Sequence, residues 1–291
     1  MRLCDAHIHL QDPRLASWLD FGLTELAALG IGGAVVNGTH EADWDNVANL
    51  AARLTWVVPS YGLHPWQVGK RSDGWLRDLK HRIKADPAAA VGEVGLDRSI
   101  LTPSTFLRNN PTSPSPPPMV DQIEVLRDQL ALAAEENRAA SIHCVRAWAE
   151  MKSILATSLL PSRGVLLHAY SGPTALVSAL LDKGAYFSFN GYFLRPRFQE
   201  RLKIFAALPS DRILVETDAP SLAPPDTLAG FRSVESTSGR TLNHPANLLP
   251  TVRELAALRR VSLPVLCEQL YVNFDRLFRP LGLRPSPTRP L

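Results

Sequence analysis

At 291 residues, with 45% apolar and 20% charged side chains, the chain can build a sizeable core and carries too few charges for global disorder. Its formal charge of +3 is mildly basic, which suits a polyanionic substrate without requiring one. No apolar run approaches the roughly 20 residues that span a bilayer, and three widely separated cysteines without a CxxC pair point to a reduced, cytoplasmic protein rather than a disulfide scaffold.

Strand-like apolar runs alternate with amphipathic segments. The first run, Leu3–His9, starts at once and leaves no room for the basic and apolar regions of a signal peptide. It contains Asp5-Ala6-His7-Ile8-His9-Leu10, and alternation along a strand puts His7 and His9 on one face, where two imidazoles can share a divalent metal. A helix over Arg14–Ala28, a strand over Gly33–Asn37 and a helix over Asp43–Arg53 follow. The strand Trp56–Tyr61 runs into Gly62-Leu63-His64-Pro65, ahead of a helix over Gly74–Ala85. The fourth strand, Ala89–Glu93, continues into Val94-Gly95-Leu96-Asp97.

Residues 98–119, with Pro103, Pro111, Pro114 and Pro116–Pro118, read as an extended insertion on the loop after strand four. Beyond it come helix Gln122–Glu136, strand Ala140–His143, helix Trp148–Thr157, strand Val165–His168 and helix Thr174–Asp182. Strand Ala185–Asn190, helix Pro196–Ala207 and strand Arg212–Glu216 complete the alternation. Ala219–His244 reads as a long polar loop. Helix Pro245–Arg260 and helical segments Leu263–Leu270 and Asn273–Phe278 close the domain, and 281–291 reads as a disordered Pro-rich tail.

Eight β-then-α units predict an α/β chain folded as a single (β/α)8 TIM barrel over 1–280, with its site at the C-terminal face of the strands. An open doubly wound sheet is the alternative, but no GxGxxG or P-loop opens a helix. Five of the eight histidines stand at predicted strand ends: His7, His9, His64, His143 and His168. Glu93 and Asp218 join them, and imidazole with carboxylate suits Zn or Mn and leaves Mg open. His7, His9, His143, His168 and the two carboxylates exceed what one tetrahedral ion needs. Two divalent metal ions with a bridging carboxylate use them all, and Glu93 is the best bridge because strand four stands between the two histidine pairs.

In this order, the motifs around His7, His64, Glu93, His143, His168 and Asp218 resemble those of the TatD family of metal-dependent deoxyribonucleases, in the amidohydrolase superfamily. The resemblance runs from Cys4 to about Phe278, and Asn243-His244-Pro245-Ala246-Asn247-Leu248 resembles the family's late signature. It implies a barrel whose first metal is held by His7, His9, Glu93 and Asp218, and whose second is held by Glu93, His143 and His168. Glu93 takes the place of the carboxylated lysine used elsewhere in the superfamily. The resemblance places His64 as a hydrogen-bond donor to a phosphate oxygen, and Asp218, from its place at the last strand, is expected to accept the proton of a metal-activated water.

The expected activity is exonuclease-like hydrolysis of phosphodiester bonds in single-stranded DNA, with no organic cofactor and no membrane partner. Departures from the family pattern at Trp66, Arg98 and His244 bear on the substrate. A hydrolase of a small amide, ester or lactone and a non-catalytic metal-binding scaffold are the alternatives. Glu216 reads equally as packing or as a partner of the metal ligands, and His244 as a helix cap or a residue of the mouth. Arg98, Arg146, Arg195 and Arg240 fall on loops of the same face, and no basic and aromatic module for tight sequence-specific binding stands out.

Overall fold

The computed structural model describes residues 1–102, 104, 106, 115–235, 239 and 241–279. Its main sheet has eight parallel strands in sequential order: β1 Leu3–Ile8, β2 Ile31–Asn37, β3 Val57–Tyr61, β4 Ala90–Asp97, β5 Ala140–Val145, β6 Val165–Leu167, β7 Ala185–Asn190 and β8 Ile213–Glu216. A helix follows each strand, as parallel crossovers require. The sheet curls until its ends meet. The Asp218 amide donates to the His7 carbonyl at 2.9 Å, and the His9 amide donates to the Ala219 carbonyl at 2.9 Å. These bonds close the expected (β/α)8 barrel next to the residues of greatest chemical interest.

Three layers fill the barrel. One apolar cluster takes Cys4 and Ala6 from β1, Val35, Val58, Ala90, Leu166, Tyr186 and Leu214 from β2, β3, β4, β6, β7 and β8, and Ala139 from the entry to β5. Residues from every strand meet in one cluster only in the lumen. Phe274, Leu277 and Phe278 of the last helix pack onto it and stopper that end. A polar layer lies next. A side chain at Gly92 would collide with Ser60 and Asn37 at 2.8 and 2.9 Å and with Ser141 at 2.9 Å, so glycine lets this layer close. The histidines form the third layer, at the mouth.

Four elements differ from expectation. β4 continues four residues past Glu93, to Asp97. Gly95, at φ +151°, makes this possible, since a Cβ there would stand 2.0 Å from the His143 carbonyl oxygen of β5. The two C-terminal helical segments are one helix, Leu263–Phe278. Asn273, near the expected break, is buried, and its amide donates to the carbonyls of Ser210 and Ile213 at 2.8 Å each, anchoring the helix under β8. The loop after β8 contains a short antiparallel hairpin, β9 Ser233–Glu235 with β10 Thr241–Asn243. Much of the expected Pro-rich insertion, Arg240 and the whole expected tail lie outside the described residues. The described part of the insertion packs: Ile100 and Phe106 are buried, and Met119 already begins the helix Met119–Glu135.

Candidate metal centre

His7 and His9 meet as the period of a strand requires, their Nε2 atoms 3.3 Å apart. Each ring is steered from behind. His9 Nδ1 lies 2.8 Å from the Asn37 carbonyl, which can only accept, so that nitrogen carries the proton and Nε2 presents a lone pair. His7 Nδ1 lies 2.8 Å from Ser141 Oγ. Glu93 Oε2 stands 3.3 Å from His7 Nε2 and 3.2 Å from His9 Nε2. Asp218 Oδ1 is 3.3 Å from His9 Nε2 and 3.9 Å from His7 Nε2. Asp218 occupies the left-handed region at φ +55°, a conformation held by its amide bond to His7 and by the Ser221 amide on its carbonyl at 2.7 Å.

The other oxygen of Glu93 faces a second set. Oε1 lies 3.0 Å from His143 Nδ1 and 2.9 Å from His168 Nε2, and those two nitrogens are 3.2 Å apart. His143 turns its Nε2 to Asp97 Oδ2 at 3.3 Å. His168 turns its Nδ1 to Glu216 Oε1 at 3.6 Å, and Glu216 also accepts from Ser188 Oγ and, at 3.2 Å, from Asn190 Nδ2. Glu216 therefore stands behind a histidine of the cluster, one of the two positions expected for it.

His64 Nε2 approaches Glu93 Oε1 at 3.3 Å, so distance alone makes it a ligand candidate. Its hydrogen bonds argue otherwise. The Trp66 amide donates to His64 Nδ1 at 3.2 Å, so the neutral ring carries its proton on Nε2 and presents a donor to the centre. Burial holds the ring below the ordinary histidine range, against the pull of Glu93, and favours that neutral form.

Among the described residues, three overlapping groups bring possible ligand atoms within reach of one cation: His7, Glu93 and His168; His7, His9 and Asp218; and His64, Glu93 and His143, the last of which the His64 tautomer argues against. Burial pushes the Glu93 carboxyl up, but its electrostatic interactions with the surrounding imidazoles of His64, His168 and His7, and its hydrogen bond with His143, overcome burial and hold the group well below the usual carboxylate range. Burial disfavours charge on His143 and His168 as well. Hydrogen bonds to Asp97 and Glu93 outweigh this for His143 and push it up to about 9, and Glu93 with Glu216 push His168 up to about 10. Facing lone pairs of His9, Glu93 and Asp218 at 3.2–3.3 Å repel unless a cation lies among them. A proton can serve, and the buried imidazole and carboxylate donors equally suit a divalent metal.

Sequence reasoning missed the residues that hold this arrangement from behind. Asp97 accepts from Trp66 Nε1 at 2.7 Å, the Ser99 amide at 2.8 Å and Ser99 Oγ at 2.6 Å, and faces His143. Asp5 accepts from the Thr217 amide at 3.1 Å, Thr217 Oγ1 at 2.5 Å and the His7 amide at 3.2 Å, tying β1 to the end of β8. Burial pushes its carboxyl up to about 8 against those bonds. Two buried glutamines of helix Met119–Glu135 clamp backbone near the site. Gln129 accepts from the Leu63 amide at 2.7 Å, and Gln122 from the Asp97 amide at 2.8 Å. A polar residue on the apolar face of a predicted helix was the one available signal for both.

His244 is a cap. Its Nδ1 accepts from the Ala246 amide at 3.0 Å, and Trp18 Nε1 lies 2.9 Å from its Nε2. Asn243 donates to the Thr217 carbonyl at 2.7 Å, so the late motif braces the turn that carries Asp218. Of the loop arginines, Arg98 pairs with Glu150, Arg195 donates to the Ala223 carbonyl at 2.6 Å, and Arg146 is exposed.

The sequence profile of a family described as TatD related DNase matches residues 4–279. A protein of Erwinia tasmaniensis named 3'-5' ssDNA/RNA exonuclease TatD is 27% identical over 276 residues, covering 94% of this chain and 98% of its own. The uncharacterized metal-dependent hydrolase YjjV of Escherichia coli is 28% identical over 279 residues, 95% of this chain and 98% of its own. The crystal structure of YjjV, a TatD homolog, superposes with a TM-score of 0.79 at 26% identity, covering 96% of this chain and 98% of that one. A hydrolase TatD family protein from Entamoeba histolytica shares the fold, with a TM-score of 0.75 at 17% identity over 96% of this chain and 99% of that one.

Proposed function

The chain belongs to the TatD-related DNase family, and on that premise we propose that this hydrolase cleaves phosphodiester bonds of single-stranded nucleic acid at a centre of two divalent cations. Glu93 carries the reading: its two oxygens face two different sets of imidazoles, His7 with His9 and His143 with His168. His7, His9, Glu93 and Asp218 would hold one ion, and Glu93, His143 and His168 the other. Bound there, the pair supplies Lewis acidity and an acidified water near neutral pH.

The protein's own groups do the rest. Asp218 is kept ionised by its hydrogen bond and charge interaction with His9, which overcome burial, and accepts the proton of the attacking water. His64 Nε2–H donates to a non-bridging phosphate oxygen as negative charge builds there. Asp97 accepts from His143 Nε2 and so aims Nδ1 at the centre. Relatives named 3'-5' ssDNA/RNA exonuclease support single strands as the substrate. No helix of the described residues is long and apolar enough to cross a membrane. The three cysteines are free and buried, which suits a reducing compartment and our assignment to the cytoplasm.

The direct test incubates metal-free protein with an end-labelled single-stranded oligonucleotide and adds Mg, Mn or Zn separately. Stepwise shortening that depends on the added ion is the expected result. An intact oligonucleotide at full metal loading would overturn the substrate and favour a small amide, ester or lactone. Asp97→Asn tests the aiming of His143: metal affinity, read by chelator competition, falls about 10–100-fold. An unaltered affinity removes Asp97 from the account.

A further inference from the structure

The loop that leaves β7 gathers arginine and aromatic side chains that the catalytic proposal leaves unused. Between Gly191 and Lys203 stand Arg195, Arg197, Arg201 and Lys203 against one acid, Glu200, and Glu200 is taken by Lys203 at 2.7 Å. The segment also carries Tyr192, Phe193 and Phe198. Phe193 is buried and Arg195 is committed to the carbonyls of Ala223 and Pro224, so both serve the fold. What remains is a partly exposed surface. The Tyr192 and Phe198 rings lie 5.2 Å apart, and the exposed Arg197 guanidinium sits over both, 5.5 Å from the first centroid and 4.8 Å from the second. Arg201 is 5.5 Å from the Phe198 centroid. One of its guanidinium nitrogens is buried with no hydrogen-bond partner among the described residues.

This surface connects to the site through a short chain of contacts. Asn190, the last residue of β7, accepts from the Tyr192 amide at 2.8 Å and donates to Glu216 at 3.2 Å. Glu216 in turn faces His168. Arg195 fastens the same loop to the segment after Asp218. The loop is thereby tied, at the C-terminal ends of β7 and β8, to the carboxylate that faces His168 and to the segment after Asp218.

We propose that Tyr192, Arg197 and Phe198 form a subsite for the nucleotides next to the scissile phosphodiester, the rings stacking on bases and Arg197 neutralising a phosphate. Partly exposed aromatic rings accept any base, and interleaved arginines supply charge and planar stacking, as non-specific single-strand binding requires. The pattern is spread over Tyr192, Arg197 and Phe198 and interrupted by structural residues, so it does not read as a binding module in the sequence. The proposal rests on the nucleic-acid reading of the centre.

The test measures anisotropy of fluorescein-labelled (dT)12 with metal-free protein over a range of salt, alongside KM for its cleavage by metal-loaded enzyme. Tyr192→Leu should weaken binding about ten-fold, while Tyr192→Phe, which keeps the ring and loses only the hydroxyl that accepts from Arg197, should retain most of the parent affinity. Arg197→Ala should lower the slope of log affinity against log salt by about 0.7, the value for one lost single-strand phosphate contact, and should raise KM. Equal binding and an unchanged salt slope in Tyr192→Leu and Arg197→Ala, with the parent cleaving the oligonucleotide, would overturn the subsite alone. A parent enzyme that hydrolyses bis(p-nitrophenyl) phosphate but neither binds nor cleaves (dT)12 would overturn the nucleic-acid reading, and this proposal with it.

Discussion

Replacing Glu93 with alanine is expected to lower metal-dependent phosphodiester cleavage by on the order of 10³-fold or more and to cut the metal content below two ions per chain. No other carboxylate among the described residues reaches both histidine pairs. Oε2 lies 3.2–3.3 Å from His7 and His9, and Oε1 lies 2.9–3.0 Å from His143 and His168. Alanine leaves four imidazoles with Asp218 on one side and nothing between the two halves. Glu93→Gln keeps the volume and one carbonyl oxygen, so it separates loss of charge from loss of packing. Elemental analysis of the purified variants and turnover of a labelled oligonucleotide form the measurement. A Glu93→Ala enzyme with parental turnover would sink the bridging assignment.

His64→Ala is expected to reduce kcat roughly 10²–10³-fold, the cost of one donor aimed at developing negative charge, while both ions stay bound. The expectation follows from a tautomer. Because the Trp66 amide occupies Nδ1, the proton of the neutral ring sits on Nε2, which disqualifies it as a lone-pair ligand despite its 3.3 Å approach to Glu93. His64→Gln restores an N–H near the same place and should recover part of the loss. Metal content falling by one ion in His64→Ala would show that His64 is a ligand and that the tautomer argument fails.

Much of the barrel was legible because parallel strands buried on both faces are written as short apolar runs, and each run here precedes an amphipathic segment. The histidines at strand ends could be read for the same reason: a strand end in such a barrel has one destination, the mouth. Gln122 and Gln129 could not be read in this way. They sit among apolar neighbours on one helix, and their partners, the backbone at Asp97 and Leu63, lie 25 and 66 residues away. The division expected between Leu270 and Asn273 failed on the same ground, since Asn273 is buried with two carbonyl partners that hold the helix continuous under β8.

By itself, then, the sequence determined the repeating βα pattern, the order of the strands and the residue types that reach the mouth, because these depend on local periodicity and on rules of chain connection. Tertiary structure alone decided which nitrogen of each ring faces inward. Asn37 sets His9 and Asp97 sets His143, each through a contact from another part of the chain, and the Trp66 amide sets His64 through the fold of the turn after β3. Tertiary structure also decided that Asp5 should lock β1 to Thr217, and that Tyr192, Arg197 and Phe198 should share one surface. A hydrogen bond or ring contact is specified by distances of a few ångströms and by side-chain direction, and neither is written in local periodicity, whether the partners are remote, as Asp5 and Thr217 are, or near, as Trp66 and His64 are.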